Sequence, residues 1–145
     1  VNVNMVTLAS CLSKDLALAL DHLLVLTDVK QRAQASTAPS FDQCLREALE
    51  GTRVEHAAHM KGLGLAIRCK IRKRFWIGTR RLLTPTWHCV DTALGAIRRL
   101  APYQGNPGEQ GKALVKMLGP SELHQRWADF KRLYLDVCEQ GGWKR

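Results

Sequence analysis

The stretch RCKIRKRFWIGTRR, residues 68–81, decides how the middle of the chain folds. Seven of its fourteen residues are Lys or Arg, and none is Asp or Glu. Its first four residues alternate like a strand, but the alternation stops at the RKR that follows, whereas a helical pattern continues. A single apolar stripe steps by three or four residues through Leu63, Ile67, Ile71, Phe75, Gly78 and Leu82. This spacing predicts a helix that lies on the core and carries a cationic outer face.

Two helices are predicted before this stretch. The first follows Ser13 and covers residues 14–35. Its stripe at helical spacing is predicted to be buried and comprises Leu16, Leu20, Leu23 and Leu26 or Thr27. The second opens at Ser40, three residues before Gln43, which is the S-x-x-Q form of a capping box. It is predicted to end at His59 or Met60, before two glycines.

Three more helices are predicted after the stretch. Thr84-Pro85 has the form of a helix start, with Thr as N-cap and Pro at the first helical position. The apolar face that follows is Trp87, Val90, Leu94, Ile97 and Ala101. A loop over residues 102–111 precedes a short helix at 112–118. The last helix is capped by Ser121 and stops at Gly141-Gly142. Its stripe is interpreted as core and comprises Leu123, Trp127, Phe130, Tyr134 and Val137.

These patterns together predict an all-α fold, a single compact bundle of five or six helices over residues 5–142. The chain begins with Val and Met5 follows closely, so residues 1–4 are interpreted either as a remnant of cloning or as the start of a processed chain, and they are excluded from the predicted fold. Residues 143–145 form a short basic tail. No apolar run is long enough to cross a bilayer, and no signal peptide is visible. Five widely spaced cysteines without a C-x-x-C pair indicate free thiols, and hence the cytoplasm or another reducing intracellular compartment.

Charge is the most informative feature of the composition. The net charge is +9 over 145 residues. Residues 56–90, called here the basic window, contain eight basic residues and no acidic one. The preceding 55 residues carry a net charge of −2, and residues 91–145 carry +3. Because a solvated helix face normally mixes both signs, charge concentrated in this way indicates an anionic partner.

We therefore predict a non-catalytic protein that binds RNA or DNA through phosphate contacts, as a small subunit of a larger nucleoprotein complex. The predicted contact residues are Lys61, Arg68, Lys70, Arg72, Lys73, Arg74, Arg80 and Arg81, extended by Arg98 and Arg99. Trp76 is a candidate for stacking on an unpaired base. The alternative is a helical adaptor whose basic face docks on an acidic protein. Self-association is a further possibility for such a protein.

A small metal-dependent enzyme is the third hypothesis. His56 and His59 are three residues apart and share a helix face, which is half of a metal site. The remaining ligands would have to come from residues such as Asp21, His22 or Cys44. The chain has no metalloprotease motif, phosphate-binding loop or nucleophile elbow. We therefore predict no catalytic residue, no metal and no cofactor.

In size, charge and predicted helicity the chain resembles the small all-helical subunits of RNA-guided effector complexes, such as those of CRISPR systems. Those subunits use basic faces to hold guide or displaced strands. No shared motif supports the resemblance. It implies a role within a nucleoprotein assembly and is an argument by analogy.

Overall fold

A computed structural model describes residues 1–60, 62–71, 82–103 and 118–143. In these ranges the elements follow one another as β1 (Asn2–Val3), β2 (Val6–Ala9), α1 (Leu16–Ala35), α2 (Phe41–Glu55), α3 (Ala57–Met60), β3 (Ala66–Ile71), β4 (Leu82–Leu83), α4 (Val90–Leu100), a 3-10 turn (Ala101–Tyr103) and α5 (Pro120–Gln140). The four strands form an antiparallel sheet in the order β1-β2-β3-β4. The prediction of an all-α bundle is therefore wrong, and the protein has a mixed α/β fold. The resemblance to all-helical subunits therefore no longer includes the fold class and is limited to size and charge.

The chain divides into two compact units, Val1–Ile67 and Arg68–Arg145. The first unit begins with a hairpin, in which Val3 pairs with Val6 and Asn4 takes a positive φ of 51° at the turn. Asn is one of the few residues that tolerates this region. Val3, Val6 and Leu8 are buried. Residues 1–4, which the sequence analysis excluded, thus supply β1 and part of the core.

Helices α1 and α2 run antiparallel in the first unit. Asp28 on α1 meets Thr52 on α2, and Ser36 at the end of α1 meets Glu47, so residue numbers rise on one helix as they fall on the other. The predicted cap of α2 is confirmed, because the Ser40 hydroxyl accepts a hydrogen bond from the backbone N–H of Gln43 at 3.2 Å. The buried residues of α2 are Leu45, Ala48, Leu49 and Thr52.

The buried face of α1 is not the predicted one. Leu16, Leu20 and Leu23 are exposed, and the buried residues of the helix are His22, Val25, Leu26 and Val29. The helix begins with Asp15, whose carboxylate accepts hydrogen bonds from the backbone N–H groups of Ala17 and Leu18. Both faces of α1 carry apolar side chains, so the hydrophobic pattern does not specify which of them packs on α2.

The second unit contains the rest of β3, β4, α4, the 3-10 turn and α5. Lys70 pairs with Leu83 and Ile71 with Leu82. The predicted helix start at Thr84-Pro85 is wrong. Thr84 is fully buried, its hydroxyl accepts the backbone N–H of Cys69 at 2.9 Å, and α4 begins only after Cys89. Thr84 thus extends the pairing of the two strands instead of capping a helix.

Helix α5 contributes the aromatic core of this unit. Phe130 and Val137 are buried, which confirms the core interpretation for these two residues of the stripe. The other three are half-buried, namely Leu123, Trp127 and Tyr134. The Phe130 ring lies 5.5 to 5.9 Å, centroid to centroid, from those of Tyr103, Trp127 and Tyr134. The N-cap is Gly119 and not the predicted Ser121, and its N–H donates to the Glu122 carboxylate at 3.1 Å. A Cβ at Gly141, the C-cap, would lie 2.5 Å from Pro85 Cβ, so only glycine fits there.

Candidate nucleic-acid interface

Strand β3 presents the first basic residues of the 68–81 stretch on one face of the sheet. Ile67, Cys69 and Ile71 are buried, whereas Arg68 is exposed and Lys70 is half-buried. Residues two apart on a strand share a face, so the two cations project together from the side opposite the core. The predicted helix for this stretch is wrong over residues 66–71, because the alternation there fits a half-buried strand.

Arg68 is held by a neutral partner. Its Nη2 donates to the hydroxyl oxygen of Thr86 at 2.9 Å, and its Nε donates to the same oxygen at 3.3 Å. Within the described parts of the chain, no carboxylate forms an ion pair with Arg68. The basic window contains no Asp or Glu at all. The guanidinium is therefore positioned by a hydrogen bond, and no carboxylate of the described residues balances its charge.

Most of the predicted contact residues fall outside the described residues. These are Lys61, Arg72, Lys73, Arg74, Trp76, Arg80 and Arg81. The described chain does fix where residues 72–81 begin and end, because Ile71 and Leu82 are partners in the β3–β4 pairing. The end of β4 is also tied to α5, since the Tyr134 hydroxyl donates to the carbonyl oxygen of Leu83 at 2.6 Å. Burial raises the pKa of Tyr134, which keeps this donor protonated.

Arg98 and Arg99 lie in the last turn of α4, both exposed. Arg99 forms an ion pair with Asp136 on α5, and its Nη1 donates to Gln140 Oε1 at 3.2 Å. The charge of Arg99 is thus largely balanced by a neighbouring carboxylate. Of the two arginines predicted to extend the interface, Arg99 is anchored to α5 and differs in this respect from Arg68.

A second cluster of charged groups joins α1 to α2. Asp28 accepts hydrogen bonds from Arg32 at 2.7 Å and from the buried Thr52 hydroxyl at 2.9 Å, and His56 Nε2 lies 3.5 Å from it. Partial burial acts to raise the pKa of Asp28, but these hydrogen bonds and the charges of Arg32 and His56 outweigh it and hold the pKa below its ordinary value. Arg32 also forms an ion pair with Glu55.

This cluster bears on the metal hypothesis. Asp28, Glu55 and His56 offer three ligand atoms within 4.8 Å of one another. However, Arg32 binds both carboxylates, so a cation already balances them. His59 does not join the cluster; its Nε2 lies 3.9 Å from Asp21. His56 and His59 therefore face different carboxylates, and an arginine-filled cluster gives no support to a metal site.

The other suggested ligands also lie apart from this cluster. His22 is buried on α1, and neither ring nitrogen has a hydrogen-bond partner among the described residues. Cys44 directs its thiol to the carbonyl of Ala38 at 3.7 Å. His22 is accordingly a core residue of the first unit.

The five cysteines are all free thiols. Cys89 is exposed at the start of α4, and hydrogen bonds with the Thr92 side chain and the backbone of Thr92 and Asp91 lower its pKa. Cys138 is buried, and its burial raises its pKa. The sequence contained the Cys89–Thr92 spacing but gave no reason to select it, because the helix start was predicted five residues too early.

Comparison with protein-family models, with curated proteins and with solved structures found no match to this chain. Among the helices of the described ranges, none is both long enough and apolar enough to cross a bilayer. Any functional argument therefore rests on the residues of this chain alone.

Proposed function

We propose that this protein binds nucleic acid through phosphate contacts made by its basic window, and that it does so as a component of a larger nucleoprotein assembly. The observation that carries the proposal is the state of Arg68, a cation fixed on a sheet face with a neutral partner. Such a group can neutralise a phosphate and release its counterion without first breaking an internal ion pair.

The contrast with other arginines supports this choice of surface. Arg32 lies between Asp28 and Glu55, and Arg99 lies against Asp136. Those two side chains stabilise contacts between helices, and a phosphate would have to compete with carboxylates for them. The basic window offers no carboxylate as a competitor. We accordingly rank Arg99 below Arg68 among the proposed contacts.

The proposed mode of binding is non-catalytic and independent of base sequence. The sequence shows no helix-turn-helix signature, which favours recognition of backbone shape or of single strands. Trp76 is the proposed stacking residue, since stacking on an aromatic ring tolerates any base. We also propose a reducing compartment, which the five free cysteines support.

The test is a titration of labelled single-stranded and double-stranded DNA and RNA at several salt concentrations. The variant changes Arg72, Lys73 and Arg74 together to Glu. The matched control changes Arg53, Lys131 and Arg132 to Glu, which gives the same net charge with exposed residues outside the basic window. We expect the wild type and the control to bind with a salt dependence equivalent to roughly four or more phosphates. We expect the variant to lose at least tenfold in affinity.

Two results would contradict the proposal. If neither wild type nor control binds any of the four probes near physiological salt, the basic window has a different partner, and an acidic protein becomes the leading alternative. If the variant and the control lose affinity equally, binding depends on net charge and not on this surface.

A further inference from the structure

Helix α1 has a second apolar face that its own unit leaves uncovered. At about 100° per residue, the side chains of Leu16, Leu20, Leu23 and Leu24 lie within an arc of about 120° centred on Leu20. The buried residues His22, Val25 and Val29 lie on the opposite side of the helix. We call the four leucines the leucine face. No charged side chain falls within its arc between residues 16 and 27.

The exposure of this face is large for a soluble protein. Leu16 is 73% exposed, Leu24 is 65% exposed, and Leu20 and Leu23 are each 52% exposed. Together they leave roughly 450 Å² of contiguous apolar surface, which is near the upper end for the largest patch on a monomer. The fully exposed Leu12 lies in the non-helical segment before α1, four residues before Leu16. With Leu12 the exposed leucine area is roughly 600 Å², about what each partner contributes to a small specific interface.

We propose that the leucine face is a homodimer interface, in which α1 of one copy packs antiparallel on α1 of a second copy. The spacing of Leu16, Leu20, Leu23 and Thr27 is four, three and four residues, which is the alternation of a two-helix seam. In an antiparallel pair, Leu20 of each copy lies level with Leu23 of the other, and Leu16 lies level with Thr27. This arrangement is closed and two-fold symmetric, so the same patch serves both copies.

Charge beside the leucine face favours the same occupant. A groove of about 250 Å³ runs along one flank of the face, and Asp21, Asp28 and Leu24 are among its lining residues. In the antiparallel register above, the exposed Lys14 of one copy comes within one residue of the level of Asp28 of the other. Antiparallel packing also opposes the two helix dipoles. Arg32 of the same copy already pairs with Asp28, so Lys14 of a second copy would add to that pair. The matching apolar stripe is the main feature that fits a second copy.

Sedimentation equilibrium over a hundredfold range of protein concentration, without nucleic acid, tests the proposal. The test variant is Leu20→Glu with Leu23→Glu. The matched control is Val54→Glu, because Val54 is 76% exposed and points away from the buried residues of α2. We expect the wild type and the control to form a reversible dimer, and the variant to have a dissociation constant at least tenfold higher.

Circular dichroism and thermal unfolding check that each variant is folded. If the glutamates unfold the helix, Leu20→Ala with Leu23→Ala replaces them, because Ala favours helix and still removes most of the exposed leucine surface. A wild type that stays monomeric throughout the range would overturn the proposal. A dimer that the leucine substitutions leave intact, or that Val54→Glu disrupts as strongly, would also overturn it. None of these outcomes depends on nucleic-acid binding, so this proposal and the previous one fail separately.

Discussion

Truncating Phe130 gives the most direct test of the packing of the second unit. The ring is fully buried and lies next to three other aromatic rings. Phe130→Ala removes about 120 Å² of buried apolar surface, worth about 3 kcal/mol at 25 cal/mol per Å². The cavity adds to this, so we expect a loss of about 4 kcal/mol in the free energy of unfolding. For a chain of this length the melting temperature should fall by roughly 10–15 °C.

A graded series separates ring contacts from volume. Phe130→Leu keeps most of the apolar volume but loses the aromatic pairs, so we expect a smaller loss of about 1–2 kcal/mol. Val54→Ala, at an exposed position of α2, should change stability by less than about 0.5 kcal/mol. Urea unfolding followed by tryptophan fluorescence measures all three, since Trp127 lies beside the site. A loss below about 1 kcal/mol for Phe130→Ala at an unchanged denaturant slope would refute this account of the core.

Two further predictions concern titrating groups. Cys89 should react with iodoacetamide faster than Cys138 at pH 7.5, because Cys89 is exposed and its lowered pKa gives more thiolate. Mass spectrometry after brief labelling measures the order of reaction. Faster labelling of Cys138 would contradict the prediction. Asp28 has a pKa below its ordinary 3.8 in the folded state, so its stabilisation is present above that pH and is lost as the pH falls through the lower value. The wild type should therefore be more stable than Asp28→Asn at pH 5, and the difference in the free energy of unfolding should narrow towards pH 2. Urea unfolding at each pH measures this difference, and a difference that stays constant would contradict the prediction.

The helix assigned to the basic stretch failed for a reason that lies in the geometry of the two structures. Ile67 and Ile71 are four residues apart, and a step of four keeps side chains on one face of a helix and also on one face of a strand. The residues between them therefore distinguish a strand from a helix. Cys69 is buried with the two isoleucines, whereas Arg68 and Lys70 face outward, as in a strand. The alternation was visible over residues 68–71, but the helical stripe continued for longer along the sequence, so the helix was preferred.

Elements with one apolar face were predicted better than elements with two. Helix α2 has a clear cap at Ser40, which was predicted correctly, and its buried residues lie on one face. The helix ends at Glu55, before the predicted end at His59 or Met60. Helix α1 has leucines on opposite sides, so periodicity located the helix but not its buried face. The β1 strand has two residues and only becomes visible through its pairing with β2. A strand this short is defined by its pairing with another strand, and the local sequence does not identify such a strand.

The sequence predicts which part of the chain is basic, but it does not predict the contacts that the basic side chains make. Counting charges identified the basic window, because charge is a property of the residues themselves. Which arginines are compensated depends on contacts between residues that can be far apart in the sequence, such as Arg99 with Asp136, 37 positions away. The sequence therefore grouped Arg68 and Arg99 together, whereas the structure gives the first a hydroxyl partner and the second a carboxylate.

The pairing of Ile71 with Leu82 has a consequence for multivalent binding. The ten residues between them include five cations, and both ends of this interval are held at neighbouring points by the sheet. Bringing those ends together costs entropy, and folding of the β3–β4 pair already offsets this cost. Once one cation of the interval holds a polyanion, the others meet it at a high effective concentration. Each further charge in the interval should then multiply the affinity by a constant factor. Lengthening the interval with glycine and serine should lower the effective concentration of the cations, and hence the affinity, although no cation is removed.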